Sequence, residues 1–136
     1  MIGLDTNVLV RYILQDDPQQ AQLATQLIEE RCSIKNPALI SHVVLCELVW
    51  VLRHTYGYPR DLVAAVLKQI LSTDRLEVPA RGVVWKAIYD YEENPGDFAD
   101  YLIANSNKTL GAKTTFTFDQ KAAKHPQFSL LSDPVK

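Results

Sequence analysis

Four carboxylates stand out by their settings. Asp5 follows the apolar start Met1 to Leu4, Glu47 lies inside the apolar run Val43 to Leu52, Asp100 ends Asp-Phe-Ala-Asp, and Asp119 follows the Thr- and Phe-rich run Lys113 to Phe118. Carboxylates confined together repel, and such a site either takes up protons or recruits a hard cation such as Mg²⁺ or Mn²⁺, which oxygen donors suit. A hard cation polarises a phosphate and acidifies a water, so phosphodiester hydrolysis would need neither a histidine base nor a nucleophilic side chain. Other chemistries lack their residues. His42, His54 and His125 are scattered, no Cys or His pair has zinc-ligand spacing, and neither a Gly-x-x-x-x-Gly-Lys loop nor a Gly-x-Ser-x-Gly elbow occurs. Cys32 and Cys46 read as reduced, buried thiols in a chain that needs no staple.

The elements that would position these acids alternate between short β-like runs and longer helical ones. Ile2 to Leu4 reads as a buried strand, and Asp5-Thr6-Asn7 leads into a helix over Val8 to Leu14. Asp17-Pro18 starts a helix to about Arg31, with the Asp as N-cap and the Pro in its first turn. Pro37 to Ser41 reads as a second strand before a helix over Val43 to Tyr56, which Gly57 and Pro59 end. A helix over Arg60 to Leu71, a strand at Leu76 to Val78 and a helix over Pro79 to Glu93 follow. Asn94-Pro95-Gly96 breaks the chain, and Asp97 restarts it as a helix to about Leu110. Lys113 to Phe118 reads as a fourth strand, then come a short helix over Gln120 to Lys124 and a last strand at Phe128 to Leu131.

This alternation predicts an α/β fold, three-layer α/β/α with a mostly parallel central sheet, formed by residues 1–136 as a single domain. In such sheets the ligand site lies beyond the carboxyl ends of the strands, where Asp5 and Asp119 would sit and where Glu47 and Asp100 could arrive on helices. The composition, 47% hydrophobic and 22% charged, is that of an ordinary globular chain. No apolar run reaches the length of a membrane span, and Met1 to Asp5 is unlike a signal peptide, so the expected location is the cytoplasm and no membrane partner is expected.

Each acid also has a structural reading. Asp5 and Asp119 could cap helices, and Asp97 is expected as the N-cap of its helix, with Asp100 at the third position. Glu47, with apolar neighbours on both sides, would be costly to bury unless paired with Arg11 or Arg53 or set near a metal. A single metal site accounts for all four positions together.

The sequence Leu4-Asp5-Thr6-Asn7-Val8-Leu9-Val10 resembles the opening motif of PIN-domain nucleases. Val44-Leu45-Cys46-Glu47-Leu48, then Asp97-Phe98-Ala99-Asp100-Tyr101-Leu102-Ile103-Ala104, then Thr115-Phe116-Thr117-Phe118-Asp119 are similar to the family's later motifs, in order and over nearly the whole chain. Size and layout are similar to the VapC-like toxins of type II toxin-antitoxin pairs. The resemblance implies a metal-dependent endoribonuclease with Asp5, Glu47, Asp100 and Asp119 as catalytic acids. It implies Asp5, Asp97, Asp100 and Asp119 as ligands of one or two Mg²⁺ or Mn²⁺ ions, supported by Thr6, Asn7 and Thr117. Asn105-Ser106-Asn107 departs from the family's small apolar residues there. The family also implies an RNA substrate, a cognate antitoxin and a homodimer. Two alternatives are a free-standing PIN nuclease of RNA processing and a catalytically silent RNA- or protein-binding module.

The net charge of −2 would become +2 with the four acids neutralised by a cation, so the balance is compatible with RNA. Arg11 and Arg53 are the first candidates for RNA contacts, with Lys108 and Lys113 behind them. Tyr12, Trp50 and Trp85 could stack bases, but their helical neighbours favour core packing.

Overall fold

In the computed structural model, which describes residues 1–132, every strand pairing is parallel. The strands fall in two compact units, Met1–Pro79 and the residues from Ala80 onward.

In the first unit β1 (Ile2–Gly3), β2 (Ala38–Leu39) and β3 (Leu76–Glu77) form a sheet in that order. Gly3 pairs with Leu39 and Leu39 with Glu77, and the ladder extends through Leu4 N–H to the Leu39 carbonyl and Ile40 N–H to the Glu77 carbonyl. Parallel neighbours need long crossovers, and helical pairs supply them. Between β1 and β2 run α1 (Thr6–Leu14) and α2 (Pro18–Arg31); between β2 and β3 run α3 (His42–Trp50) and α4 (Arg60–Leu71). Leu4, Ile40 and Val78 from the strands are buried, as are Leu9, Ile28, Leu45, Leu48 and Leu67 from the helices.

Local chemistry sets the helix ends. Asp5 caps α1, which begins two residues earlier than the apolar pattern predicts, because its Oδ1 accepts from the Thr6 N–H. Asp17 accepts from Gln20 N–H with Pro18 in the first turn, as expected, and Ser41 accepts from Val44 N–H. The helix predicted to run to Tyr56 is α-helical only to Trp50. Over Val51–Thr55 it widens by one residue per turn, with Tyr56 N–H on the Val51 carbonyl, and then ends at Gly57, whose φ of 67° suits glycine.

In the second unit α5 (Arg81–Glu93) and α6 (Phe98–Thr109) pack on each other, followed by β4 (Thr115–Thr117), a 3₁₀ turn at Ala122–Lys124 and β5 (Phe128–Leu130). Thr115 pairs with Phe128 and Thr117 with Leu130. Two expectations shorten here. The α5 helix starts at Arg81 rather than Pro79, since Ala80 turns left-handed (φ 50°). The helix expected over Gln120 to Lys124 is only the 3₁₀ turn. The core holds Ile88, Tyr91, Phe98, Tyr101 and Leu102. Gly96 must lack a Cβ, which would fall 2.6 Å from the Tyr101 hydroxyl that its N–H contacts.

Asn105 and Asn107, where the chain departs from the family pattern, are satisfied inside this unit. Buried Asn105 donates to Asp90 Oδ2 and the Tyr101 carbonyl and accepts from Gln127, while Asn107 donates to Thr115 Oγ1. Among the described residues Gln127 Oε1 is the one buried side-chain polar atom without a partner. Both cysteines are free, and burial pushes the Cys46 thiol up from its ordinary value.

Candidate active site

The predicted site residues divide between the two units. In the first, β1 carries the chain to its carboxyl end, where Asp5 takes an extended conformation and caps α1. Since β1 and β2 are parallel and adjacent, α3 starts from the same edge after Ser41. The buried Thr6 side chain links the two: its Oγ1 donates to Glu47 Oε1 at 3.1 Å. Asn7 is exposed and lines a hollow of about 280 Å³ with Val8, Arg11, Gln20, Leu23, Ala24 and Leu27.

The expectation of an enclosed Glu47 is overturned. Its side chain is exposed, although Leu45, Leu48 and Val49 around it in sequence are buried. Sequence neighbours on a helix point in different directions, and residues 43, 47 and 50 share an open side. Trp50, expected in the core, lies on that side at 59% exposure, with Val43 at 69%. Neither arginine pairs with Glu47. Arg11 bonds Asp16 at 3.0 Å, Gln20 and the Tyr56 hydroxyl, and Arg53 donates to the Tyr58 carbonyl.

In the second unit Asp97 and Asp100 form a capping box at the start of α6, with the Asp97 N–H donating to Asp100 Oδ2 at 3.0 Å. Beyond the end of β4, Asp119 N–H donates to Thr117 Oγ1 at 3.0 Å, and Asp119 Oδ1 accepts from the Lys121 and Ala122 amides. Thr117 therefore fixes the backbone that presents Asp119. Burial pushes the Asp100 carboxyl above its ordinary value, the Asp97 N–H partly offsets this, and the negative charges of Asp97 and Asp119 push it further.

The donors are uniformly oxygen, which fits a hard divalent cation rather than a soft one. Asp5, Glu47, Asp100 and Asp119 each use one carboxylate oxygen in the bonds above, and the other meets no partner among the described residues. Among those residues no three His, Cys, Asp or Glu side chains form a group that could hold a metal ion. The second-unit acids are thus close enough to sense each other's charge without being arranged as a coordination sphere.

A parallel-stranded α/β chain with acids beyond the carboxyl ends of its strands has a family counterpart. The PIN domain model matches residues 2–127, a span that includes every acid named above, and the chain belongs to the PIN domain family. It is also 27% identical over 121 residues to a VapC ribonuclease of Aquifex aeolicus (strain VF5), a match that spans 89% of each chain. No solved structure matches it. Among the described residues no helix is long and apolar enough to cross a membrane.

Sequence reasoning placed Thr6 as a support for the acids but did not find its partner. It missed the open side of α3 altogether, though the spacing of Val43, Glu47, Trp50 and His54 at intervals of three and four residues was the available signal.

Proposed function

We propose that this chain is a Mg²⁺- or Mn²⁺-dependent endoribonuclease that works as one domain and serves as the toxin of a type II toxin-antitoxin pair. The observation that carries the proposal is the setting of Asp100, whose carboxyl is pushed up first by burial and then by the nearby charges of Asp97 and Asp119, in a chain of the PIN domain family. A cation is the simplest relief for such charge. The likeness to a VapC ribonuclease supports RNA as substrate and an antitoxin protein as partner, and the proposed working form is a cytoplasmic homodimer.

In this reading Asp5, Asp97, Asp100 and Asp119 would supply oxygen donors to the cation, whose Lewis acidity would activate water and polarise the scissile phosphate. The chain's own part is positioning. Thr6 holds one oxygen of Glu47 and leaves the other to orient the attacking water. The amides of Lys121 and Ala122 fix one Asp119 oxygen, and the Asp97 amide fixes one oxygen of Asp100. These bonds select carboxylate orientations before substrate arrives, which is how supporting groups raise the efficiency of a metal site.

The test compares wild type with Asp5→Asn, each in EDTA and in Mn²⁺, by thermal melting and by cleavage of a mixed RNA pool. Metal-dependent stabilisation and cleavage confined to wild type are the expected result. A wild type that neither melts higher nor cleaves with metal would sink the nuclease reading.

A further inference from the structure

Trp50 is the largest side chain exposed on α3, and its geometry is that of a prepared surface. Its ring stacks on the His54 ring with centroids 4.8 Å apart and planes 21° from parallel. His54 is fixed in turn, since its Nδ1 lies 3.0 Å from the Trp50 carbonyl, a bond that needs the proton on Nδ1. This pair sits where α3 passes into its widened turn over Val51–Thr55, a distortion often found at functional sites. One face of the indole is thus backed by a held ring while the side chain remains 59% open to solvent.

The placement says what could use the open face. Glu47 precedes Trp50 by three residues, about 4.5 Å along the helix axis, on the same exposed side. Arg53 is exposed three residues beyond, and apart from the Tyr58 carbonyl its guanidinium meets no partner among the described residues. An acid proposed to orient the attacking water, an open aromatic ring and a spare guanidinium follow one another along a single helix. A ligand that carries both phosphates and flat apolar rings matches that order, and a nucleic-acid strand is such a ligand. Bases stack on aromatic side chains only where they are unpaired.

We infer that Trp50, backed by His54, is the stacking platform for an unpaired base of the RNA strand next to the phosphate presented to Glu47. This rests on the nuclease reading above and adds to it a specificity element for single-stranded or loop RNA. Trp85 and Tyr89 make a similar stacked pair on α5, centroids 6.0 Å apart, but no acid of the candidate set lies on that helix. They serve as the internal control.

The experiment uses the full chain carrying Trp85→Phe, so that Trp50 is the single tryptophan, and Asp5→Asn, so that RNA stays intact. Short single-stranded oligoadenylate is expected to quench Trp50 fluorescence, and an abasic oligonucleotide of equal length is not. In the otherwise wild-type chain, Trp50→Ala should raise KM for RNA by roughly 5- to 100-fold with little change in kcat, Trp50→Phe should recover most of the loss, and Trp85→Phe should be silent. Equal quenching by the abasic strand, or an unchanged KM in Trp50→Ala, overturns the platform. A drop to a smaller oligomer in Trp50→Ala with RNA binding intact also overturns it, and assigns the face to contact between copies. If wild type binds and cleaves no RNA at all, the failure is that of the nuclease reading instead.

Discussion

Asp16 and Asp100, in different units, have their carboxyl groups driven in opposite directions by their surroundings. Asp16 accepts from the Tyr56 hydroxyl at 2.6 Å and from Arg11 at 3.0 Å, and the tyrosine bond foremost, then its own backbone N–H and the arginine, holds its carboxyl below the ordinary range. Asp100 has one backbone N–H to set against burial and two neighbouring acids, and its carboxyl is held above that range. A carboxylate whose charge is answered within the chain belongs to the scaffold. One whose charge is left unanswered points to something the chain must bind.

The largest effect should come from the unanswered group. Replacing Asp5, Asp100 or Asp119 by Asn is expected to cut RNA cleavage by more than the roughly 10–100-fold typical of supporting residues, measured as kcat/KM with saturating Mn²⁺. Asp16→Asn should cost far less, since Asp16 holds Arg11 and Tyr56 and is not among the candidate metal ligands. Equal losses from both would erase the distinction drawn here.

Thr6→Val comes next. It removes the bond to Glu47 Oε1 while keeping the side chain's shape, and about 10–100-fold in kcat is expected to go with it. An unchanged kcat would mean that Thr6 is only a packed polar residue at the start of α1.

Metal binding should raise the melting temperature by mass action, by about 2.7 kcal/mol of apparent stability at a hundredfold excess over Kd. The rise should vanish in Asp100→Asn and persist in Asp16→Asn, as followed by thermal denaturation in EDTA and in Mn²⁺.

The smallest effects concern pH in metal-free buffer, and they differ in sign. Asp100 has its folded pKa raised, so the folded state holds more protons than the unfolded state just above the ordinary carboxyl value of 3.8. Its contribution is present below that value and is lost as pH rises through the folded pKa. Asp100→Asn should therefore raise stability modestly at neutral pH. Asp16 has its folded pKa lowered, so its contribution is present above 3.8 and is lost as pH falls through the folded pKa. Asp16→Asn should flatten the acid side of the stability profile. Its exposure to solvent keeps the effect small.

Much of the molecule was legible in advance because the relevant signals are local. Asp17-Pro18 has one common use at a helix start, Gly57 and Pro59 cannot continue a helix, and Asp97 with Asp100 three residues on spells a capping box. The acids that follow β1 and β4 were found from the strand signal just before them. What was lost depended on direction rather than position. Glu47 and Trp50 read as buried because their neighbours in the chain are apolar, yet α3 turns those neighbours inward and these two outward. The same fact undid the supposed pairing of Glu47 with an arginine, since Arg11 finds Asp16 and Tyr56, and Arg53 finds a backbone carbonyl.

By itself the sequence determined the α/β class, the order of the elements, most of the caps, and the types and order of the acidic residues. Those follow from φ/ψ preference, hydrophobic period and turn chemistry, all of which act over a few residues. Only the tertiary structure decided that Thr6 reaches across 41 positions to Glu47, that burial, with Asp97 and Asp119 nearby, raises Asp100, and that Trp50 stays open with His54 behind it. Hydrogen bonds act over about 3 Å and charge effects over several more. Which residues come within that reach is settled by packing, not by the spacing of letters along the chain.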